Sequence, residues 1–236
     1  MKIYKYRDLS NPDEETLKRL YQLIINNLVW CACPDQLNDK DEFLFEIDYA
    51  PTESTAHLLS QILAHDKTIS PEDALSLASH YIMNNKLEHI ASPIMKSMME
   101  NCRNSLGVAC FSISKDNAVM WERYGGNGNG ICIEVDVPDN LIDKTLFRVT
   151  YVSKKTFHVD SIFKSVLPNN NAWDSYRNIL LTKIEVPWKS EEEVRIITKK
   201  QNVAMRIDGS TITEVVFGNK VESQVVDKIM AKIKQN

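Results

Sequence analysis

The chain has 236 residues, 43% hydrophobic and 25% charged, the profile of a globular protein long enough to bury a sizeable core. Seven glycines and eight prolines exclude collagen-like and Pro/Gly-rich disordered chains, and no apolar run reaches the roughly 18–20 residues that span a bilayer. Twenty-eight Lys and Arg against 32 Asp and Glu leave a net charge of −4, which argues against a general electrostatic nucleic-acid binder but leaves room for a local basic groove.

Lys2 to Arg7 (KIYKYR) nearly alternates and predicts a strand, with Lys5 and Arg7 on one face and Tyr4 and Tyr6 on the other. Asn11-Pro12-Asp13-Glu14 predicts a helix start with Asn11 as cap and Pro12 in the first helical position. Leu17, Leu20, Tyr21, Ile24 and Ile25 then form its core-facing stripe. Leu28 to Cys33 predicts a second strand, stopped by Pro34. Residues 52–105 read as helical throughout, with Ser70-Pro71-Glu72-Asp73 capping one of the helices. Strand character resumes at Gly107 to Ser112, and Asn117 to Tyr124 predicts one or two helical turns. Gly125 to Gly130 (GGNGNG) reads as a mobile loop leading into the strand Ile131 to Val135. Further strands are expected at 146–152, 194–197 and 212–217, and helices at 172–183 and 221–234. The order predicts an α+β fold: a single domain over 1–236, with a mixed, mostly antiparallel twisted sheet and a helical insertion at about 52–105 packed against it.

Composition narrows the chemistry. The five cysteines include no CxxC pair, and four lie in strand-like apolar runs, as buried thiols do in a reducing compartment. The N-terminus lacks the apolar stretch of a signal peptide, so a cytoplasmic protein without membrane association is expected. None of the five histidines forms HExxH or zinc spacing with the cysteines, and no metal site is expected. The Gly loop precedes a strand instead of opening a helix, so it lacks the context of a phosphate cradle.

Charged motifs are more informative. In Trp188-Lys189-Ser190-Glu191-Glu192-Glu193-Val194-Arg195, strand periodicity puts Glu191, Glu193 and Arg195 on one face. This is either an exposed ion-paired ladder or a carboxylate site for a ribose hydroxyl or a developing cation, with Arg195 holding Glu193 ionised. Lys5 and Arg7 are either the charged guard of an edge strand or a phosphate clamp. Asn38-Asp39 with Asp41-Glu42 reads as a turn or an acidic cluster, and Trp121 and Tyr124 share a helical face as core or as a stacking platform.

Together these motifs resemble the bacterial and phage domain-of-unknown-function family 2971. They are KYR at the start, LND-x-x-E (Leu37, Asn38, Asp39, Glu42) beside the family's FNDPFE, CFS (Cys110, Phe111, Ser112), MWxxY (Met120, Trp121, Tyr124), GICIE (Gly130 to Glu134) and WxxExExR (Trp188, Glu191, Glu193, Arg195). Lys40 and Asp41 replace the family's Pro and apolar residue, and Leu37 its Phe. The order is also remotely similar to ADP-ribosyltransferases, with Tyr6-Arg7 on an early strand and an E-x-E pattern opening a late one; Cys33 and Ser112 only partly match the middle element. That resemblance implies NAD as cofactor and a nucleotide or nucleic-acid acceptor. Arg7 would hold the NAD phosphate or ribose, Glu193 would support cleavage of the nicotinamide glycosidic bond, and Glu191 would orient the nucleophile. Lys5, Tyr6, Asn38, Ser112, Trp121, Tyr124 and Arg195 would contribute to binding. By association, such a chain would act in phage defence or as a toxin. The alternatives are a non-catalytic nucleotide or nucleic-acid binding module, or a metal-dependent nuclease built on Asp39, Asp41, Glu42 and Glu193. The transferase reading requires Arg7 and Glu193 to open into one cleft.

Overall fold

The computed structural model describes residues 1–65, 68–168 and 172–235; residues 66 and 67 of the expected insertion lie outside that set. In chain order the elements are β1 (Lys2–Asp8), α1 (Glu14–Asn26), β2 (Leu28–Cys31), β3 (Glu46–Asp48), α2 (Thr55–Leu63), α3 (Pro71–Met83), α4 (Glu88–Ser105), β4 (Gly107–Ser112), α5 (Ala118–Arg123), β5 (Gly130–Asp136), β6 (Leu146–Arg148), β7 (Thr150–Val152), β8 (Thr156–His158), α6 (Val159–Val166), α7 (Ala172–Leu181), β9 (Thr182–Ile184), α8 (Glu185–Trp188), β10 (Glu193–Thr198), β11 (Val203–Arg206), β12 (Thr211–Phe217) and α9 (Ser223–Lys234). The fold is α+β. Among the described residues no helix is long and apolar enough to cross a membrane.

The chain divides into two compact units: Met1–Gln36, Ser105–Tyr151 and Lys183–Asn236 form the first, Leu37–Asn104 and Val152–Thr182 the second. The second takes in more than the expected 52–105 insertion. It holds α2, α3, α4 and α6, together with the parallel pair β3–β8. Ser70 caps α3 by accepting the Asp73 N–H at 3.1 Å, with Pro71 in the first turn as expected. Asp160 of α6 accepts hydroxyl hydrogen bonds from Thr52, Ser54 and Thr55, which fixes the entry to α2.

The first unit is built on a six-stranded sheet in the order β12-β5-β1-β4-β10-β6, with antiparallel neighbours throughout. A two-stranded ladder, β11–β2, accompanies it. Register assigns the faces. Ile3, Lys5 and Arg7 stand opposite Val135, Ile133 and Ile131, and Val194 stands opposite Phe111. These positions face the main core, where Ile3, Phe111, Ile131, Ile133, Val194 and Ile196 pack with Leu20 and Leu23 of α1 and Ile229 of α9. The other face carries Tyr4, Tyr6, Cys132, Ser112, Glu193 and Arg195, and α5 covers part of it through Met120, Trp121 and Tyr124.

Three local expectations change. The cap of α1 is Asp13, not Asn11, because its carboxylate reaches the Thr16 N–H at 2.7 Å; Pro12 lies one position before it. β1 is an interior strand, so Lys5 and Arg7 do not guard an edge. The glycine loop is packed, not a free connector. Gly126 has φ +56°, and a Cβ there would meet the Asp8 carboxylate.

β1 and β2 compete for one edge of β4. Tyr4 pairs with Ser112 at one end, and Ala32 exchanges two hydrogen bonds with Val108 at the other, at 2.9 and 2.8 Å. Cys110 shares that edge by alternation and lies in the fork between them. Its carbonyl accepts a hydrogen bond from the buried Lys5 ammonium, which also lies 5.1 Å from the centre of the Phe111 ring. Burial lowers the Lys5 pKa to about 7 from 10.5. The unfolded chain therefore binds the Lys5 proton more tightly, and this contribution to stability rises as pH increases from about 7 to 10.5. Lys5→Met removes that alkaline rise, as measured by urea midpoints across the range. Gly130→Ala destabilises by about 1–3 kcal/mol, because a Cβ would stand 2.3 Å from the Arg7 carbonyl and 2.6 Å from that of Gly125. A lowered denaturant midpoint at unchanged slope checks this.

Candidate functional site

The polar sheet face carries a connected network of buried charges. Glu191 ends a short turn, Glu192 follows with a left-handed backbone (φ 46°), and Glu193 opens β10. The reversal leaves Glu192 exposed and both flanking carboxylates buried. Lys183 of β9 bridges them, with Nζ 3.3 Å from Glu191 Oε2 and 3.1 Å from Glu193 Oε2. Arg195, two residues along the strand on the same face, grips Glu193 bidentately through Nε at 2.7 Å and Nη2 at 3.1 Å. Glu191 Oε1 accepts from Arg123 Nη1 at 3.0 Å and from the Tyr124 hydroxyl at 2.9 Å. The Glu193 N–H donates to the Tyr151 hydroxyl at 2.8 Å. The Trp188 ring lies 4.2 Å from Lys183 Nζ and 5.1 Å from the Arg123 guanidinium.

Burial alone would raise the Glu193 pKa. The Arg195 guanidinium and the Lys183 ammonium outweigh it and hold the carboxyl at about 2. Glu193 is therefore a fixed anion, not a proton donor. Burial and the Glu191 charge push the Tyr124 phenol well above its usual range. Burial pushes the Cys110 thiol to about 12, with Glu193 adding to the effect, so it is not a thiolate nucleophile. The network is mostly sealed: Lys183 and Glu191 side chains are 4% and 3% exposed, while Arg123 is 31% exposed. Arg123 and the half-buried Trp188, Tyr124 and Trp121 thus form its outward surface.

The structure brings Glu191, Glu193, Arg195 and Tyr124 together; Glu193 and Arg195 meet through strand alternation, whereas Glu191 reaches them from the turn before the reversal at Glu192. It places Ser112 directly opposite Glu193, where its Oγ accepts the Ser114 N–H at 3.1 Å. Trp121 and Tyr6 lie on the same face, rings 5.3 Å apart and edge to face. The Tyr6 hydroxyl donates to the carbonyls of Ser114 and Lys115 and serves packing. Lys5 and Arg7 occupy the opposite face of the sheet from Glu193, so the cleft expected to hold both Arg7 and Glu193 is not formed between those side chains. Asn38 is an exposed bend residue of the second unit. In the same unit, Asp39 accepts the Asp41 N–H at 2.9 Å. Among the described residues, no three His, Cys, Asp or Glu side chains are grouped as a metal site.

Sequence reasoning passed over Lys183, Tyr151, Arg123 and Trp188 as site residues. For Lys183 the signal was a lone cation between Leu180-Leu181 and Ile184. Arg123 and Trp188 sat inside motifs already read for other residues.

No protein-family model matches the chain, and no curated protein or solved structure matches it significantly. The likeness to family 2971 rests on the six motifs alone.

Two measurements test the network. Lys183→Met leaves two buried carboxylates without their shared ammonium and should cost about 3–5 kcal/mol at neutral pH, with part of the loss recovered as acid protonates them. Because the folded pKa of Glu193 lies below its ordinary 4.5, its contribution is complete above that value and drains away as pH falls toward 2. Glu193→Gln should flatten the acid limb of stability against pH, followed by urea midpoints.

Proposed function

We propose that this chain is a nucleotide-binding module whose ligand engages the outer surface of the charge network without chemical turnover. One observation carries this reading: Arg123 is a partly exposed cation held on Glu191 and set against the Trp188 ring. A guanidinium fixed beside an aromatic face offers a nucleotide both of its handles, charge for the phosphate and a surface for the base. Glu193 already accepts from Arg195 and Lys183 at both oxygens, which leaves it little capacity for a ribose hydroxyl.

A second reading, ADP-ribosyl transfer from NAD, is favoured by a different observation. Glu193 is held ionised at neutral pH by Arg195 and Lys183, and a carboxylate opposing an oxocarbenium centre must be ionised. In this version Arg7 takes no part with Glu193, since the sheet separates them.

Thermal unfolding with NAD, ATP and a short RNA tests both readings. At a hundredfold excess over Kd, a bound nucleotide stabilises by about 2.7 kcal/mol, or roughly 2–4 °C for each kcal/mol in a chain of this size. Arg123→Met should abolish the shift, and NAD should be recovered intact. Stabilisation that survives Arg123→Met overturns the binding reading. Release of nicotinamide by the parent chain, lost in Glu193→Gln with the fold retained by circular dichroism, establishes the transferase instead.

A further inference from the structure

The loop that joins α5 to β5 repeats one tripeptide. Gly126-Asn127-Gly128 and Gly128-Asn129-Gly130 share a glycine and give each asparagine the same two neighbours. An Asn-Gly pair is open to succinimide closure, because a glycine without Cβ leaves its amide nitrogen clear to reach the preceding side-chain carbonyl carbon. With identical neighbours, any difference between the two asparagines comes from the fold. Asn129 is tied down. Its side-chain amide donates to the Gly126 carbonyl at 3.3 Å, and its own carbonyl accepts the Leu9 N–H at 3.0 Å where β1 ends. Gly130 after it is buried, pairs with Asp8 in the sheet and accepts the Gly218 N–H at 2.8 Å. Turning the Asn129 carbonyl so that the Gly130 nitrogen could reach the side chain would part β5 from the end of β1. Asn127 is exposed, and among the described residues its side chain has no hydrogen-bond partner. It has a left-handed backbone (φ 49°, ψ 43°) between two glycines that also have positive φ, at 56° and 92°. The Gly128 N–H makes a single turn bond, to the Gly125 carbonyl at 3.1 Å. Opening that bond frees the nitrogen without disturbing a strand.

We propose that Asn127 is a site of spontaneous deamidation, and that the sheet protects Asn129 from the same reaction. The Gly128 nitrogen gives its proton to solvent base and bonds to Asn127 Cγ; the Cγ–Nδ2 bond breaks, and the side-chain nitrogen leaves as ammonia. Water then opens the ring, at Cγ to give aspartate or at the main-chain carbonyl carbon to give isoaspartate. Nothing is oxidised or reduced, and water is the co-reactant. Either product adds a carboxyl group to the loop. Isoaspartate also lengthens the main chain by one carbon just before Gly128, whose carbonyl accepts the Lys220 N–H at 3.0 Å and so ties the loop to the segment after β12. The reaction needs no ligand and stands independently of the nucleotide reading of the Arg123 surface.

Ageing the full chain in neutral and in mildly alkaline buffer, folded and in urea, tests the proposal, with conversion at each asparagine followed by peptide mass spectrometry. In the folded chain Asn127 should convert at least about tenfold faster than Asn129, because the strand opens far less often than the turn. In urea, where only the shared sequence remains, the two should convert at similar rates. Conversion should accelerate with pH, since the attacking nitrogen must lose its proton. A methyltransferase specific for isoaspartate should label position 127 of the aged parent chain. Asn127→Gln keeps an exposed amide but closes a larger ring far more slowly, so it should abolish both the conversion and the label at that position. Equal rates at the two asparagines in the folded chain, faster conversion at Asn129, or no conversion at Asn127 while the urea sample converts would overturn the proposal. Aspartate formed at position 127 without isoaspartate would overturn it as well.

Discussion

Neutralisation of the two carboxylates Glu191 and Glu193 by Lys183 and Arg195 constrains everything around it. Ions withdrawn from water cost several kcal/mol each unless geometry returns that energy through pairing. The elements that supply the partners are therefore fixed relative to one another. β9 must present Lys183, the turn at 189–191 must reverse at Glu192, and the end of α5 must bring Arg123 and Tyr124 to Glu191. Such a network adds little net stability over an apolar core of the same volume, but it tolerates few alternative arrangements. Its value here lies in definition: it holds the Arg123 guanidinium and the Trp188 ring in one place.

The sheet divides its labour between faces. One packs aliphatic side chains against α1 and α9; the other carries aromatics and the charge network beneath α5. Lys5 and Arg7 are the exceptions on the apolar side. Lys5 is explained by backbone chemistry, since the fork leaves the Cys110 carbonyl without a strand partner and an ammonium fills the gap. Arg7, two residues along, is partly exposed and needs no such internal partner.

Much of this was legible in the residues. Near-alternation marked β1 and an apolar run marked β4, and the i, i+2 spacing of Glu193 and Arg195 put them on one face, where they meet. Ser70-Pro71 marked the start of α3. What alternation cannot supply is phase between strands. It says that Lys5 and Arg7 share a face, and that Glu193 and Arg195 share a face, but not whether the two faces coincide. Only the pairing of Tyr4 and Glu193 to the same Ser112 decides that, and it puts the pairs on opposite sides. Lys183 was hidden for a related reason: its three-residue strand is too short to show any period. The same brevity concealed β3 and β8. The loop at Gly125 to Gly130 was misjudged because glycines that permit flexibility also permit close backbone approach.

The interleaving of the two units has a consequence for biogenesis. β1 is translated before β4 and β5 but needs both, and they lie more than a hundred residues downstream by its register with Ser112 and residues 130–136. Between them the ribosome must deliver the first segment of the other unit, and that unit in turn waits for Val152–Thr182. The later-starting unit is thus the earlier to have all its pieces. The nascent KIYKYR segment stays without its neighbours for the roughly hundred residues that precede β4, a stretch of tyrosines and cations whose own charge opposes premature pairing.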